Sequence, residues 1–242
     1  MAKVKDNKEN KETKESLNKE LLENPELMVS KTEDFFTKNK VLIYTVLGVM
    51  VLAIAAFSAY RYITSSQQEE ALGEMYPAEF YLEADSINKM LNGDGNYLGV
   101  QQIAEEYNWS KAGNLAHLYA AIGLMKQEKF EEALKNLDEF SSGDVIVQGR
   151  AYALKGDAYV ELKQYDKATN AYKQAVDHHP NKFFTPLYLM KLALAYELKE
   201  SYKEAIDIYD ELIYKYPTSQ EVNNAKKYKA RAEQLTTKTG KQ

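Results

Sequence analysis

The sequence has no cysteine among its 242 residues, which excludes disulfides, lipidated-cysteine anchors and thiolate metal sites. Histidine is scarce, with three residues, and proline occurs five times. The chain shows no Ser-His-Asp spacing, no HExxH motif and no P-loop. From these absences we predict a protein that is not an enzyme and that needs no metal or other cofactor.

Charge is absent from residues 41–60, whereas the chain as a whole is polar, with a mean hydropathy of −0.54. A helix of this length would reach about 30 Å, the thickness of the hydrocarbon core of a bilayer. We therefore predict one transmembrane helix over residues 41–63. The alternative is a cleaved signal peptide, because Ala53, Ile54 and Ala55 form an A-x-A pattern, although this pattern lies inside the apolar run.

Lysine is unevenly distributed around this segment. Lys31, Lys38 and Lys40 precede it closely, whereas residues 61–80 contain Arg61 as their one basic residue. Cytoplasmic flanks of membrane helices carry the excess of Lys and Arg. The sequence thus predicts a single-pass protein of the cell inner membrane, with residues 1–40 in the cytoplasm and the C-terminal domain in the periplasm.

Residues 1–40 are predicted to form a largely disordered cytoplasmic tail, because they contain few apolar side chains. Within this tail, residues 21–38 fit either a short helix at the membrane surface or a solvated stalk. The net charge of −5 arises beyond residue 60, because nine lysines and nine acids cancel in the tail. An acidic exported domain argues against nucleic acid as a partner.

The rest of the chain is rich in Ala, Leu, Lys, Glu and Tyr, and it repeats itself. Ala133, Ala168 and Ala205 mark the register, and they are 35 and 37 residues apart. Small residues let two antiparallel helices approach closely, and large ones such as Tyr172 and Tyr209 fill the space to the next pair. One such pair cannot bury its own apolar face, so successive pairs must stack.

This pattern resembles the tetratricopeptide repeat family, whose consensus is W-x2-L-G-x2-Y…A-x3-F…P with a period of about 34. Gly156 and Pro180 occupy the glycine and proline positions of one unit, and Ala193 replaces the glycine in the next. The units are residues 114–147, which are degenerate, 149–182 and 186–219. The resemblance implies an all-α fold, a TPR-type α-solenoid of helix hairpins preceded by the single transmembrane helix, with repeats over residues 111–218.

Two flanking segments complete the predicted architecture. Residues 64–110 are expected to form a divergent helix pair, with helices at 76–91 and 97–109. Gly73 and Pro77 are the first helix breakers after the apolar run, so the membrane helix is expected to continue unbroken over residues 61–75. Residues 219–242 are expected to form a C-terminal capping helix and tail.

The layout also resembles the bacterial YfgM-type proteins, which are ancillary subunits of the Sec translocon. The stretch LNGDGNYLG followed by KAGNLAHLYAAIGLMKQEKFEEAL is similar to their relatives in the Bacteroidota. This resemblance covers most of residues 30–235. It implies chaperone or assembly work in the periplasm, with a translocon component, a periplasmic chaperone or a nascent chain as partner.

Stacked helix pairs leave a concave face lined by the first helix of each pair. Such a face suits an extended apolar segment or an amphipathic helix of a partner. The alternative is that residues 61–91 of the chain itself fill it. The predicted partner-binding residues are Leu115, Leu118, Ile122, Met125, Arg150, Ala153, Asp157, Val160, Leu187, Met190, Leu194 and Glu197.

Other polar clusters are expected to be structural. His178 and His179 lie near a helix C-terminus, whose dipole favours them, and His117 occupies a packing position. The turn at residues 92–96 lacks the later glycine and glutamate of a calcium loop. The basic residues 226–231 fit a solvated outer face of the last helix.

The function that these observations favour is protein–protein interaction by a non-catalytic, membrane-tethered repeat protein on the periplasmic side of the inner membrane, associated with the translocon or with chaperones. The alternative is a homo-oligomeric scaffold for the envelope or for cell division. Ala55 and Ala59 favour that alternative, because small residues four apart let membrane helices pair.

Overall fold

The structure is a computed structural model that describes residues 35–239. Apart from turns, loops and an isolated β-bridge between Gly93 and Leu98, these residues are helical. The prediction of an all-helical chain of helix hairpins is therefore confirmed for the described residues. The chain divides into two units between Tyr62 and Ile63. Most of the predicted tail, residues 1–34, lies outside the described residues.

Helix α1 spans Lys40–Glu83 and runs through the division between the units. In the first unit its large apolar side chains are exposed, and none of its most apolar stretch is buried. Thr45 satisfies its hydroxyl locally by donating a hydrogen bond to the carbonyl oxygen of Val41 at 2.8 Å. By length and composition, this helix is able to cross a membrane.

Helix α1 continues to Glu83, so the break expected near Gly73 and Pro77 does not occur. Pro77 removes one backbone N–H from the helix, and its ring crowds the carbonyl of the residue four positions earlier. That residue is Gly73, around which a Cβ would find open space. Tertiary contacts hold the helix on both sides of the proline, since Met75 and Ala78 are buried in the core.

The second unit continues with two short helices, α2 (Ile87–Asn92) and α3 (Val100–Glu106). Three hairpins follow: α4 (Lys111–Lys126) with α5 (Phe130–Glu139), α6 (Val145–Glu161) with α7 (Tyr165–His178), and α8 (Thr185–Leu198) with α9 (Tyr202–Lys215). The last helix, α10 (Val222–Thr239), packs on α9. Each hairpin packs on the next, through α5 against α6 and through α7 against α8.

Each hairpin turns at a residue with a left-handed backbone. These residues are Glu128, Lys163 and Glu200, with φ of 59°, 57° and 61°. They follow the repeat register, because they too are 35 and 37 residues apart. The N–H that follows each of them donates back across the end of the first helix, as from Gln164 to the oxygen of Tyr159 at 2.8 Å.

The alternation of small and large residues builds the core of the last two hairpins. Ala168, Ala193 and Ala205 are fully buried, and Tyr172 and Tyr209 are buried beside them. A second cluster joins the 63–83 part of α1 to helices α2 to α6. Stacking between hairpins therefore buries the apolar surface that a single hairpin would expose, as the repeat pattern requires.

Candidate functional site

A groove of about 390 Å³ lies between α6 and α8, the first helices of the second and third hairpins. Its walls are mostly aliphatic and aromatic, with three charged side chains among them. We call it the α6–α8 groove, and its lining residues are Ile146, Arg150, Ala153, Leu154, Asp157, Phe184, Leu187, Tyr188 and Lys191. An apolar groove with a few polar groups is the usual form of a binding site.

Local caps fix where each wall begins. Asp144 starts α6, because its carboxylate accepts hydrogen bonds from the N–H groups of Ile146 at 2.8 Å and Val147 at 3.0 Å. On the other wall, Asn181 accepts from the N–H groups of Phe183 and Phe184 at 3.0 and 2.8 Å. These side-chain turns hold Ile146 and Phe184 at the same end of the groove, one on each wall.

An ion pair joins the two walls inside the groove. The Lys191 ammonium donates to both carboxylate oxygens of Asp157, at 2.6 and 2.7 Å. Asp157 also accepts a hydrogen bond from the hydroxyl of Tyr172 at 2.6 Å, which ties α7 to the same carboxylate. Burial and then the charge of Asp157 raise the pKa of Tyr172, so its phenol stays protonated as a donor. This network fixes the spacing of the groove walls.

Arg150 supplies the groove with a positive charge that is not used for ion pairing. It is exposed, and no described residue forms an ion pair with it. Burial raises the pKa of the nearby Tyr188, and the charge of Arg150 opposes that shift. Because Asp157 and Lys191 neutralise each other, the guanidinium of Arg150 is left to meet a carboxylate or carbonyl oxygen of a ligand.

The twelve residues predicted for partner binding fall into three environments. Arg150, Ala153, Asp157 and Leu187 are brought together in the α6–α8 groove. Val160 is half-buried against the core, and Met190 is buried, because the inner edge of each helix faces the core. The other six lie elsewhere, at α4 or beside α10.

The four predicted residues of α4 are largely covered by the chain itself. Leu118 is buried, and Leu115, Ile122 and Met125 pack against the same cluster as the 63–83 part of α1.

Three hydrogen bonds mark where residues 68–85 follow α4. The Gln68 amide oxygen accepts from the N–H of Ala112 at 3.0 Å, and the Tyr119 hydroxyl donates to Glu79 at 2.8 Å. At the far end, Lys126 donates to Asp85 at 2.8 Å. For the first hairpin, these contacts favour the alternative in which residues 61–91 fill the face.

Glu197, also predicted for the groove, serves a structural network. It lies with Leu194 in a second, shallower groove beside α10. Its side chain is 8% exposed, and its carboxylate accepts from the Tyr209 hydroxyl at 2.6 Å and from the Arg231 guanidinium at 2.7 and 3.1 Å. This carboxylate joins α8, α9 and α10, which leaves little of it for a partner.

Several groove residues were missed by the sequence analysis: Ile146, Leu154, Phe184, Tyr188 and Lys191. The pattern contained a usable signal, because Ile146 is one helical turn before Arg150 and Lys191 is one turn after Leu187. On both α6 and α8, the predicted residues lie about one helical turn closer to the C-terminus of the helix than the residues that line the groove.

The other polar clusters have structural partners. His117 contacts the side-chain oxygen of Asn136 at 3.0 Å, and the ring of His178 packs edge-on against Tyr152. In the turn at residues 92–96, Asp94 accepts from the N–H groups of Asn96 and Tyr97, at 2.9 and 3.0 Å, as well as from a tyrosine hydroxyl. Over the described residues, no three metal-ligating side chains converge.

Stability at alkaline pH is expected to depend on Tyr119. Burial, and then the hydrogen bond to Glu79, raise its pKa to about 12, above a value of about 10 in an unfolded chain. The stabilisation is therefore fully present below pH 10 and is lost as pH rises toward 12. We expect Tyr119→Phe to remove on the order of 1 kcal/mol of this pH dependence, after allowance for solvent screening.

Urea unfolding of the full chain and of the variant at pH 8 and pH 11 would measure the difference. Equal losses of unfolding free energy between pH 8 and pH 11 in both proteins would show that Tyr119 does not contribute to this pH dependence.

The family comparison agrees with the hairpin geometry of residues 153–219. The sequence profile of the family described as "Tetratricopeptide repeat" matches residues 153–219. A solved structure described as "Crystal structure of MamA protein" is similar at 18% identity and a TM-score of 0.49, covering 70% of this chain and 90% of that one. No curated protein matches the chain. Residues 153–219 thus match the tetratricopeptide repeat family, and they include most of both walls of the α6–α8 groove.

Proposed function

We propose that the chain is a non-catalytic adaptor that holds a polypeptide partner in the α6–α8 groove. The groove itself carries this proposal, because it is open, mostly apolar and formed largely by residues 153–219, which match the tetratricopeptide repeat family. Its partner is an extended segment or a helix whose apolar side chains enter between Leu154 and Leu187. Arg150 at the same site pairs with an acidic group or a carbonyl oxygen of that segment.

The membrane tether is the second part of the proposal. Residues 41–63 span the inner membrane once, with residues 1–40 in the cytoplasm and the repeats in the periplasm. The exposed apolar side chains of this segment and the lysines before it support this placement. The tether raises the effective concentration of the repeats at the membrane surface without adding contacts.

Carbonate extraction of cell membranes tests the tether. We expect the full chain to remain in the membrane pellet, and protease added from the periplasmic side to cleave the repeats while sparing residues 1–40. Release of the intact chain into the supernatant would refute the membrane span.

The resemblance to YfgM-type proteins narrows the partner class. On that basis, the groove receives a translocon component, a periplasmic chaperone or a chain emerging from the translocon. A homo-oligomeric scaffold is the alternative, and sedimentation of the full chain in detergent distinguishes the two. A monomer at micromolar concentration supports the adaptor role, whereas a stable oligomer supports the scaffold.

The substitution Leu187→Asp tests the groove directly. Leu187 is 40% exposed on the groove wall, so a charge there should leave the fold intact and repel an apolar ligand. We expect at least a ten-fold loss of co-purified partner, equivalent to about 1.4 kcal/mol. Quantitative mass spectrometry after mild detergent purification of the full chain measures it.

Tyr214→Asp is the matched control, because Tyr214 is 86% exposed on α9 and does not line the groove. The Tyr214→Asp variant should recover as much partner as the unmodified chain does. Equal recovery with both variants would refute the groove as the docking site.

A further inference from the structure

A ridge of apolar side chains is left exposed on the outer side of α1. Leu72, Tyr76 and Phe80 are 54%, 83% and 65% exposed, and they lie four residues apart along one side of the helix. The opposite side of the same segment is buried in the core through Met75 and Ala78. We call these three residues the α1 ridge.

The α1 ridge is large for an unpartnered surface. With aromatic residues taken at about 200 Å² each, it exposes on the order of 400 Å² of mostly apolar area. Single exposed apolar residues are common on proteins, but contiguous patches of this size mark interaction sites. The ridge lies on a different helix from the α6–α8 groove, so it is a separate surface.

The charged residues of the segment that carries the ridge are all acidic. Residues 63–86 contain six acidic residues and no Lys or Arg. Three of these acids are engaged inside the fold: Glu74 accepts from the N–H of Leu98, Glu79 from Tyr119, and Asp85 from Lys126. The acids at the two ends of the ridge, Glu69 and Glu83, are exposed and have no partner among the described residues.

Two nearby bases do not lie on the ridge. Lys126 is already paired with Asp85, and the ammonium of Lys89 lies over the ring of Tyr81, 5.7 Å from its centre and next to the ridge. The α1 ridge is therefore an apolar strip with a carboxylate at each end. Glu69 and Glu83 are separated by about 21 Å along the helix axis.

This charge pattern selects among possible occupants. A second copy of the chain would bring the same carboxylates face to face, which is unfavourable. An anionic lipid surface would repel them as well. We propose that the α1 ridge docks a basic amphipathic segment of a partner protein, with about four helical turns, apolar residues along one side and Lys or Arg near both ends.

The test uses two synthetic amphipathic peptides of 18 residues with identical leucine positions, one carrying lysine at its polar positions and the other glutamate. Binding of each labelled peptide to the full chain in zwitterionic lipid nanodiscs is measured by fluorescence anisotropy, with empty nanodiscs as the blank. We expect the lysine peptide to bind, the glutamate peptide to bind at least ten-fold more weakly, and added salt to reduce the difference.

Two variants locate the binding on the ridge. Tyr76→Ser should weaken binding of the lysine peptide at least ten-fold. The double variant Glu69→Gln with Glu83→Gln should remove most of the salt dependence of that binding. Tyr214→Ser changes an equally exposed tyrosine on α9 and should leave binding unchanged. Unchanged binding to Tyr76→Ser, or equal binding of both peptides, would overturn the proposal.

The other occupants have distinct outcomes, and each would overturn the proposal. If the ridge joins two copies, the full chain sediments as an oligomer without peptide, and Tyr76→Ser converts it to a monomer. If the ridge rests on lipid, brominated lipids quench the fluorescence of Tyr76→Trp in a Trp109→Phe background. We expect neither result.

Discussion

Replacement of Leu189 by alanine is expected to lower the free energy of unfolding by about 2–5 kcal/mol. Leu189 lies on α8 and is fully buried in the core that also holds Ala168 and Tyr209. The substitution removes buried methyl and methylene groups and leaves a cavity, because the packed helices on either side relax only in part. Urea unfolding of the full chain in detergent, followed by circular dichroism, measures the loss.

Leu187→Ala is the matched control for this experiment. Leu187 lies two positions earlier on the same helix but faces the α6–α8 groove and is 40% exposed. Its loss should change the unfolding free energy by no more than about 0.5 kcal/mol. Similar costs for the two leucines would mean that Leu189 does not face the core while Leu187 faces the groove.

Gly156→Ala is expected to destabilise the second hairpin, although alanine is the better helix former. A Cβ at position 156 would meet the ring of Tyr172 on α7. That ring is buried and its hydroxyl is held by Asp157, so it has no room to move. Overpacking costs about 1–3 kcal/mol, which exceeds the gain of at most about 1 kcal/mol from helix propensity.

Gly73→Ala should have the opposite effect on stability. Gly73 also lies inside a helix, but a Cβ there would meet nothing within 4 Å. Alanine should therefore stabilise the chain by roughly 0.5–1 kcal/mol. If both glycine substitutions stabilise the protein in thermal unfolding, then the close approach of α6 to α7 is not a feature of the folded state.

Most of the fold was predicted from the repeat register, which indicates the hairpins and the residues at which their helices meet. The small residues Ala168, Ala193 and Ala205 are fully buried where hairpin helices meet, and Tyr172 and Tyr209 pack beside them as the pattern indicates. Tyr159 differs, because it is only partly buried and its ring lies under the Lys167 ammonium at 5.5 Å. Alternating small and large residues are a local signal, so sequence alone was sufficient for them.

Features decided by distant contacts were not visible in the sequence. Pro77 appeared to be a breaker because local propensity disfavours it inside a helix, yet the burial of Met75 and Ala78 keeps α1 intact on both sides. The left-handed turn residues Glu128 and Lys163 were missed for a similar reason, since neither is the glycine that usually marks such a position.

The residues that line the α6–α8 groove were predicted only in part, because a helical face has two edges with different surroundings. On α8, Leu187 faces the groove while Met190, less than one turn later, is buried in the core. Glu197 looked available for a partner, but Arg231 comes from a helix 34 residues away in sequence. A single sequence shows which residues share a stripe, but not which neighbouring helix covers part of it.

The central claim is that one polypeptide segment lies between the two walls of the α6–α8 groove. Photo-crosslinking residues placed at Ile146 on α6 and, separately, at Leu187 on α8 of the full chain in cells test this most directly, because both positions are exposed at the groove. We expect both probes to attach to the same protein, within one short stretch of its sequence, and a probe at Tyr214 to leave that protein unlabelled. Attachment of the two groove probes to unrelated proteins, or to no polypeptide, would contradict the account.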